Sequence, residues 1–339
     1  MTADELLLLK VIEEYKALKI GGQIDYDKFY LYSLITHSTA IEGSTVTELE
    51  NRLLFDEGIA AKGRSMTEQL MNLDLKAAYE ESLKRAKAHT SVGVDMLKQF
   101  SSLVMKNTGA AYNTALGSFD SSKGDLRLLN VTAGAGGQSY FNFHKVPQRL
   151  ADFCQWLNAE RTKIDKNNII AAYHLSFEAH YLLVTIHPWV DGNGRMARLV
   201  MNYLQFEYGL IPSKISKDDK AAYIQALQTA REQDDAAVFH RFMLAQHTAA
   251  LRSEIEEYKK SQQADVVIKD KNVVINVVIN ETEKQVFNLL QNNPQLSANA
   301  LAAQLQMSAR QVQRVLAALK SKNLIARIGS NKNGKWEVI

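Results

Sequence analysis

A nearly apolar run that ends in a sharply broken turn constrains this 339-residue chain more than any other feature. Residues 167–186 are apolar at most positions, which predicts a buried helix at the centre of a helical domain. Pro188 has no backbone N–H and disfavours helical angles at His187, so we expect the helix to end there. A second, amphipathic run extends from Arg195 to Phe206. The pattern predicts two consecutive helices joined by a tight turn.

The turn contains the residue types that bind an anion. Gly192 and Gly194 permit backbone angles that a side chain would forbid, and they leave room for a ligand to touch the main chain. With Asn193 between them, they precede a helix whose N–H groups and positive dipole end point at one place. Arg195 and Arg198 are three residues apart on one helix face, so both can reach that place. The sequence therefore predicts a phosphate site.

Two side chains beside the turn can supply chemistry. His187 titrates near neutral pH, which suits a general base. Asp191 offers a hard oxygen ligand of the kind that Mg²⁺ accepts beside phosphates. His174 and His180 lie in the preceding helix, but spacings of six and seven do not place the three histidines on one helical face. We therefore expect those two histidines to be packed or hydrogen-bonded, and not to bind a metal.

Residues 187–198 read H-P-W-V-D-G-N-G-R-M-A-R and closely resemble the signature of Fic-domain proteins, H-P-[FW]-x-[DE]-G-N-G-R-x-x-R. Trp189 takes the aromatic position, where the family more often has Phe. The resemblance implies a mainly α fold, a Fic-type helical bundle with a β-hairpin flap. It also implies transfer of AMP from ATP, with Mg²⁺, to a Ser, Thr or Tyr hydroxyl of a target protein. In that family His187 corresponds to the base and Asp191 to the metal ligand, and the nucleotide-binding positions correspond to Gly192, Asn193, Gly194, Arg195 and Arg198.

The stretch from Ser38 to Gly43 resembles the inhibitory motif of the same family, [ST]-x-x-x-E-[GN]. Taken alone, Glu42 is an ordinary solvent-facing carboxylate after a predicted helix at 26–41, and Gly43 is a suitable helix stop. The resemblance implies that Glu42 pairs with Arg198. A bidentate carboxylate–guanidinium pair would occupy the place of the nucleotide's γ-phosphate. The predicted enzyme is therefore inhibited while Glu42 stays in place.

Two strand-like runs, 126–131 and 140–143, flank a glycine-rich turn and predict a β-hairpin. The turn lacks the Lys-Ser/Thr of a P-loop and is not followed by a helix. In Fic proteins this place holds a flap that clamps an extended target segment by strand addition; a plain surface hairpin is the alternative. We expect a loop at 107–124. Tyr223 is a candidate for the base or ribose pocket, because related proteins often place an aromatic there; packing beside Leu227 is the alternative.

The end of the chain resembles a winged helix-turn-helix, with three predicted helices before a two-stranded ribbon. Before it, β-branched runs at 266–268 and 273–279 predict a linker or a small hairpin. From residue 280 onward the chain has eight Lys or Arg against three Asp or Glu, which favours DNA as a partner. Protein docking and homodimer formation stay open as alternatives. The candidate DNA contacts are Arg310, Gln311, Arg314, Lys332 and Lys335.

Three domains follow from these patterns: an N-terminal helical region with the inhibitory helix at 1–90, a Fic catalytic domain at 91–260, and a winged helix domain at 280–339. The single cysteine excludes a disulfide framework within the chain. The acidic N-terminus predicts no signal peptide, and we expect no membrane span. The expected location is the cytoplasm.

Two other functions stay open. A net charge of +3 is too small to imply nucleic acid by itself, but the basic C-terminal region allows a DNA-binding transcriptional regulator whose Fic-like domain senses nucleotide. The same site could also remove AMP from modified proteins. The sequence leaves open the target protein, the signal that moves Glu42 and the oligomeric state.

Overall fold

The computed structural model describes most of the chain. The described residues are 1–133, 139–165, 167–269, 281–305, 307–322, 324–328 and 335–338, with only the backbone of 263–269, 281 and 321. The chain divides into two compact units, Met1–Tyr258 and Lys259–Ile339. Helices dominate both units, so the prediction of a mainly α fold is confirmed.

Five helices come first in the first unit. They are α1 (Ala3–Ala17), α2 (Tyr26–Ile41), α3 (Glu48–Glu57), α4 (Met66–Lys87) and α5 (Val94–Val104). The bounds of α2 agree with the predicted helix at 26–41. Capping boxes begin α1, α3 and α4, where a Thr or Ser side chain and a Glu three residues later bond each other's backbone N–H groups.

A short hairpin and five further helices complete this part of the chain. They are β1 (Ala111–Thr114), β2 (Gly117–Asp120), α6 (Val146–Lys163), α7 (Ile169–Ile186), α8 (Asn193–Glu207), α9 (Lys220–Gln233) and α10 (Ala236–Lys269). The helix α7 is apolar and long enough to span a membrane by length and composition alone, contrary to our expectation. Two thirds of it is buried inside the protein (67%), as in the core helix of a folded domain.

The passage 107–124 is not the loop that we expected. Strands β1 and β2 pair antiparallel there, from Ala111 opposite Asp120 to Thr114 opposite Gly117. Gly117 has a φ of 124°, which closes the tight turn. The cross-strand neighbours Tyr112 and Phe119 stack with ring centroids 5.0 Å apart, and such aromatic pairs stabilise a hairpin.

In the described residues of 126–143, the predicted hairpin is present as one antiparallel bridge, between Thr132 and Ser139, beside a bond from the Tyr140 N–H to the Val131 carbonyl. Its glycine turn, 134–138, lies outside the described residues. The runs 126–131 and 140–143 are not regular strands. The carbonyls of Leu129 and Phe141, one in each arm, accept hydrogen bonds from the Arg127 side chain instead of from the opposite arm.

Two apolar cores hold the turn between α7 and α8. One contains Phe100, Trp189 and Met196, among residues of α2, α4, α5, α6, α7 and α8. The other contains Tyr223 and Phe239 and joins α1, α7, α8, α9 and α10. Because α7 and α8 contribute to both cores, the turn between them is held by packing from two sides.

In its described residues the second unit contains the end of α10, three further helices and a two-stranded sheet. Its elements are α11 (Glu281–Asn292), α12 (Ala298–Gln304), α13 (Ala309–Ser321), β3 (Ile325–Ile328) and β4 (Lys335–Val338). Strands β3 and β4 pair antiparallel, and the predicted capping box of Ser308 and Gln311 begins α13. Val286, Leu301 and Trp336 lie in its apolar core.

The prediction of a linker or a small hairpin placed a β-branched run at 266–268, and a hairpin strand there is wrong, because helix α10 continues to Lys269. The segment 236–269 has no Gly or Pro, and extending a helix is more favourable than starting a strand from three β-branched residues. The run 273–279 lies outside the described residues.

Candidate nucleotide-binding and transfer site

The turn between α7 and α8 is held from inside. His187 ends α7 in the left-handed conformation, with φ of 53°. The Trp189 side chain is fully buried, and its indole N–H donates to the Gly124 carbonyl at 3.2 Å. The Asn193 amide accepts from the Trp189 N–H at 3.1 Å and donates to the Trp189 carbonyl at 2.8 Å. The side chain of Asn193 therefore braces the turn.

A side chain at either glycine would displace a neighbouring side chain. A Cβ at Gly192, whose φ is 80°, would lie 2.8 Å from the Met105 sulfur. A Cβ at Gly194 would lie 2.6 Å from Glu42 Oε1. The Glu42 carboxylate thus lies against the N-terminal turn of α8, where the helix dipole favours negative charge.

The Arg198 guanidinium is held by the end of α2. It is buried, with 3% of the residue exposed. Its Nη2 donates to Glu42 Oε1 at 2.6 Å and to the Ser38 carbonyl at 2.9 Å, and its Nε donates to the Ser38 hydroxyl at 2.8 Å. The predicted pair exists, but it is monodentate and not bidentate, because Nε donates to Ser38 and Nη1 lies 3.5 Å from the Tyr223 hydroxyl. Gly43 follows with φ of 106°.

The charges of this pair stabilise each other. Burial alone would raise the pKa of Glu42, but the charge and hydrogen bond of Arg198 hold that pKa below its ordinary value. Burial alone would lower the pKa of Arg198, and Glu42 instead raises it. Both groups are therefore ionised, and an anion that replaced Glu42 would meet the same buried cation.

Arg195 is a buried cation with few partners. Only 2% of it is exposed, and its guanidinium contacts the Val104 carbonyl at 3.4 Å and the Met105 sulfur at 3.2 Å. Asp191 Oδ2 lies 3.6 Å from its Nη2. In the described part of the chain its Nε has no hydrogen-bond partner. Such a group has unused capacity to bind an anion.

Asp191 is open to solvent. Its side chain is 61% exposed, and Oδ1 accepts the Gly192 N–H at 2.6 Å. Within the described ranges no group of three or more His, Cys, Asp or Glu residues could hold a metal ion. A single carboxylate beside a phosphate site fits Mg²⁺, which takes its remaining ligands from phosphate oxygens and water.

His187 has the protonation state of a base. Burial lowers its pKa to about 4, against the effect of the Val184 carbonyl, and the positive charges of Arg127 and Arg231 lower it further. Its Nδ1 lies 3.2 Å from the Val184 carbonyl oxygen, an acceptor, so Nδ1 carries the proton of the neutral ring. The lone pair of Nε2 is therefore the one that can accept a proton.

Two residues that the sequence did not single out contact His187. The ring of Tyr140 stacks on the imidazole, with centroids 3.7 Å apart and planes 18° apart. Arg127 donates from Nε to the His187 carbonyl at 2.8 Å. No motif marks either residue, because both lie in short runs that read only as strands.

The other candidates lie deeper or elsewhere. Tyr223 is 2% exposed, and its hydroxyl lies 3.5 Å from Arg198 Nη1 and 3.0 Å from His180 Nε2. It therefore packs beneath Arg198 in the described structure. His174 Nε2 lies 2.7 Å from Glu5 Oε1, so His174 and His180 both have hydrogen-bond partners.

In the second unit, the candidate contacts Arg310, Gln311, Arg314 and Lys335 are exposed. Gln311 Oε1 already accepts the Ser308 N–H at 2.9 Å in the capping box, which limits its use elsewhere. Lys332 lies outside the described residues.

Two stretches of the chain match families of known proteins. Residues 91–205 match the model of the Fic/DOC family, and residues 279–326 match a winged helix-turn-helix DNA-binding family. Protein adenylyltransferase fic-1 of Caenorhabditis briggsae is 27% identical over 237 residues, which cover 69% of this chain and 43% of that protein. Protein adenylyltransferase Fic of Drosophila grimshawi is 30% identical over 257 residues, 71% of this chain and 47% of that protein. The chain spans less than half the length of these relatives.

Solved structures share the fold. A Fic domain containing signaling protein from Bacteroides thetaiotaomicron has a TM-score of 0.61 at 20% identity, covering 75% of this chain and 97% of that chain. A Fic family protein from Desulfovibrio desulfuricans has a TM-score of 0.56 at 20% identity, covering 100% of this chain and 97% of that chain. The helical bundle described above is therefore a Fic fold.

Proposed function

We propose that this chain, which carries a Fic/DOC-family domain and a C-terminal winged helix domain, is a protein adenylyltransferase that Glu42 inhibits. One observation carries the proposal: the buried guanidinium groups of Arg195 and Arg198 lie at the start of α8, near a neutral His187. Two cations and a helix N-terminus suit a polyphosphate, and a neutral imidazole suits a base. The names of the relatives support AMP transfer in particular.

In the proposed reaction, His187 Nε2 accepts the proton of a Ser, Thr or Tyr hydroxyl of the target. The hydroxyl oxygen forms a bond to the α-phosphorus of ATP, and the bond from that phosphorus to the bridging oxygen breaks. The products are an AMP–protein ester and pyrophosphate. Reactions of this kind depend mostly on positioning and charge stabilisation, so few catalytic groups are needed.

Different residues of the site would bind the different phosphates of ATP. The N–H groups at Asn193 and Gly194 and the Arg195 guanidinium would hold the α- and β-phosphates, with the Gly192 N–H, which donates to Asp191 in this structure, beside them, and Arg198 would hold the γ-phosphate. Asp191 would hold Mg²⁺, which neutralises phosphate charge when it is bound. The attack at the α-phosphate follows from the family resemblance.

Inhibition follows from where Glu42 lies. Its carboxylate lies 2.6 Å from Arg198 Nη2, at the start of α8. A γ-phosphate that approached Arg198 would meet this negative charge, so ATP would bind weakly or in a poor pose for transfer. Withdrawal of the last turn of α2 would free Arg198.

Intact-mass spectrometry after incubation with ATP and Mg²⁺ tests the proposal. The samples are the wild type, Glu42→Gly, and Glu42→Gly combined with His187→Ala. Gain of an adenylyl mass by Glu42→Gly alone supports both the transfer and the inhibition. A Glu42→Gly protein that binds ATP in calorimetry, yet modifies neither itself nor any protein in a lysate, contradicts the proposal.

A second candidate is a DNA-binding regulator whose Fic-like domain senses nucleotide. It is supported by the match to a DNA-binding family and by the exposed Arg310 and Arg314 on α13. It predicts salt-sensitive DNA binding that changes with ATP. It also predicts that a His187→Ala variant still regulates transcription fully. Removal of AMP by the same site, with Glu42 in place, predicts loss of the adenylyl mass from a modified protein. We expect a cytoplasmic protein without a membrane partner, and a homodimer stays open.

A further inference from the structure

Arg127 lies outside every motif yet bonds the candidate base. Its guanidinium is buried, with 1% of the residue exposed. Nε donates to the His187 carbonyl at 2.8 Å, Nη1 to the Leu129 carbonyl at 2.7 Å, and Nη2 to the Phe141 carbonyl at 2.5 Å. The Arg127 backbone N–H donates to the Pro188 carbonyl at 3.1 Å. One side chain thus joins the turn after α7 to both arms of the segment 126–143.

The chemistry of these contacts points to a geometric role. Among the residues that the structure describes, no carboxylate forms an ion pair with Arg127, and burial lowers its pKa. A buried charge without a counter-ion costs free energy, and a guanidinium is the side chain whose rigid set of donors can bind three carbonyls at once. The left-handed backbone of His187, unfavourable for a residue with a Cβ, is one of the groups it holds.

The other arm contacts the ring of the base, whereas Arg127 contacts its backbone. Tyr140 precedes Phe141, whose carbonyl Arg127 binds, and its ring stacks on the His187 imidazole. Arg231 lies over the Tyr140 ring, 4.4 Å from its centroid, and donates to the Ser139 carbonyl at 3.2 Å. Arg127 therefore holds the backbone of His187, and the Tyr140 ring holds the plane of its imidazole.

We propose that Arg127 is a positioning residue for His187 that couples the positions of two arms of the chain, 126–133 and 139–143, to the orientation of the base. The inference rests on the proposed function, in which His187 is the base. A change in the position of either arm therefore acts on the imidazole through Arg127 or Tyr140. The imidazole keeps its stack against the Tyr140 ring, and Nε2 keeps its orientation, only while both arms hold this arrangement.

The test compares Arg127→Lys with the matched variant Arg161→Lys, both in the Glu42→Gly protein. Lysine keeps the charge but cannot bind three carbonyls, so an effect on His187 comes from geometry and not from lost charge. Arg161 is also largely buried, but it pairs with Glu207 and its contacts lie outside the site. Self-modification with AMP, ATP affinity and the NMR signals of the eight histidines are measured.

In Arg127→Lys we expect kcat to fall about a hundredfold, because small displacements of a catalytic group have effects of that size. We expect ATP affinity to stay within about twofold, since Arg127 touches no group assigned to phosphate. The His187 ring protons should lose the ring-current shift from Tyr140, and the pKa of His187 should rise towards its ordinary value. Arg161→Lys should change none of these.

The half-buried Tyr140 gives a second route that does not disturb a buried charge. Tyr140→Phe should keep the stack and the rate, whereas Tyr140→Ala should raise the pKa of His187 and lower kcat. Unchanged histidine signals in both Arg127→Lys and Tyr140→Ala would overturn the inference, and so would changed signals with an unchanged rate. If the Glu42→Gly parent transfers no AMP, the proposed function fails, and the histidine signals alone then decide whether Arg127 positions His187.

Discussion

The carboxylate of Glu42 accepts a hydrogen bond of 2.6 Å from Arg198, although 156 residues separate the two in the chain. The same guanidinium donates to the hydroxyl and the carbonyl of Ser38. The last turn of α2 therefore holds Arg198 by two neutral contacts and one charged contact. Of the three, only the Glu42 contact places a negative charge where a phosphate would bind.

Glu42→Gly and Glu42→Gln should activate to different degrees. Glutamine can still accept from Arg198 but carries no charge, so it should relieve the repulsion of a phosphate while keeping part of the obstruction. We expect the rate of AMP transfer to rise from wild type to Glu42→Gln to Glu42→Gly. ATP should bind about tenfold more tightly to Glu42→Gly than to wild type, which corresponds to 1.4 kcal/mol. Calorimetry and mass spectrometry measure both; equal ATP affinity in all three proteins contradicts the prediction.

Arg198→Met should destabilise the protein more than the double variant Arg198→Met, Glu42→Gln. The single change leaves the Glu42 carboxylate without its partner, whereas the double change removes the unpaired charge as well. Because Glu42 is partly exposed, we expect a loss of about 2 kcal/mol in the free energy of unfolding, of which the second change restores about half. Urea unfolding of the four proteins of this cycle measures the coupling. If the two changes are purely additive, the Arg198–Glu42 pair does not stabilise the packing of α2 against α8.

The pH dependence of transfer should show a base with a low pKa. Burial lowers the pKa of His187 to about 4, and protonation removes the base, so the rate should fall only as the pH drops towards that value. With a base of ordinary histidine pKa, the transfer rate would fall to half at about pH 6.5. Glu42 raises this pKa, so its removal should not move the acid limb to higher pH. The pH profile of kcat/KM for Glu42→Gly measures the pKa of the base. A midpoint at about pH 6.5 would contradict the prediction of a lowered pKa.

DNA binding by the second unit should depend on salt through Arg310 and Arg314. If each contacts one phosphate, replacing either by Ala should reduce the slope of log K against log salt by about 1. Lys10, exposed on α1, is the matched control and should leave the slope unchanged as Lys10→Ala. Fluorescence anisotropy over a salt series measures the slopes. Slopes unaffected by both arginine changes contradict a role of α13 in DNA binding.

Gln311→Ala should lower the free energy of unfolding of the second unit by about 1 kcal/mol, because it removes half of the capping box that begins α13.

Local patterns predicted the helices well. The bounds of α2 and the end of α7 at Ile186 followed from periodicity and from the residues that stop a helix, which act within a few positions. The hairpin prediction was less successful. Short runs with strand character occur at 111–120 and at 126–143, and pairing between β1 and β2, with the Tyr112–Phe119 stack, decided which forms a ladder.

The sequence by itself determined the fold class and the groups around the turn, because the signature residues are contiguous and a helix start places Gly194, Arg195 and Arg198 at known relative positions. Only the tertiary structure decided that Arg198 shares its donors between Ser38 and Glu42, and that Glu42 pairs with it through one oxygen. It also decided that Arg127 and Tyr140 hold His187. These contacts join segments far apart in the chain, and their geometry depends on how whole helices pack, which no local pattern of residues encodes.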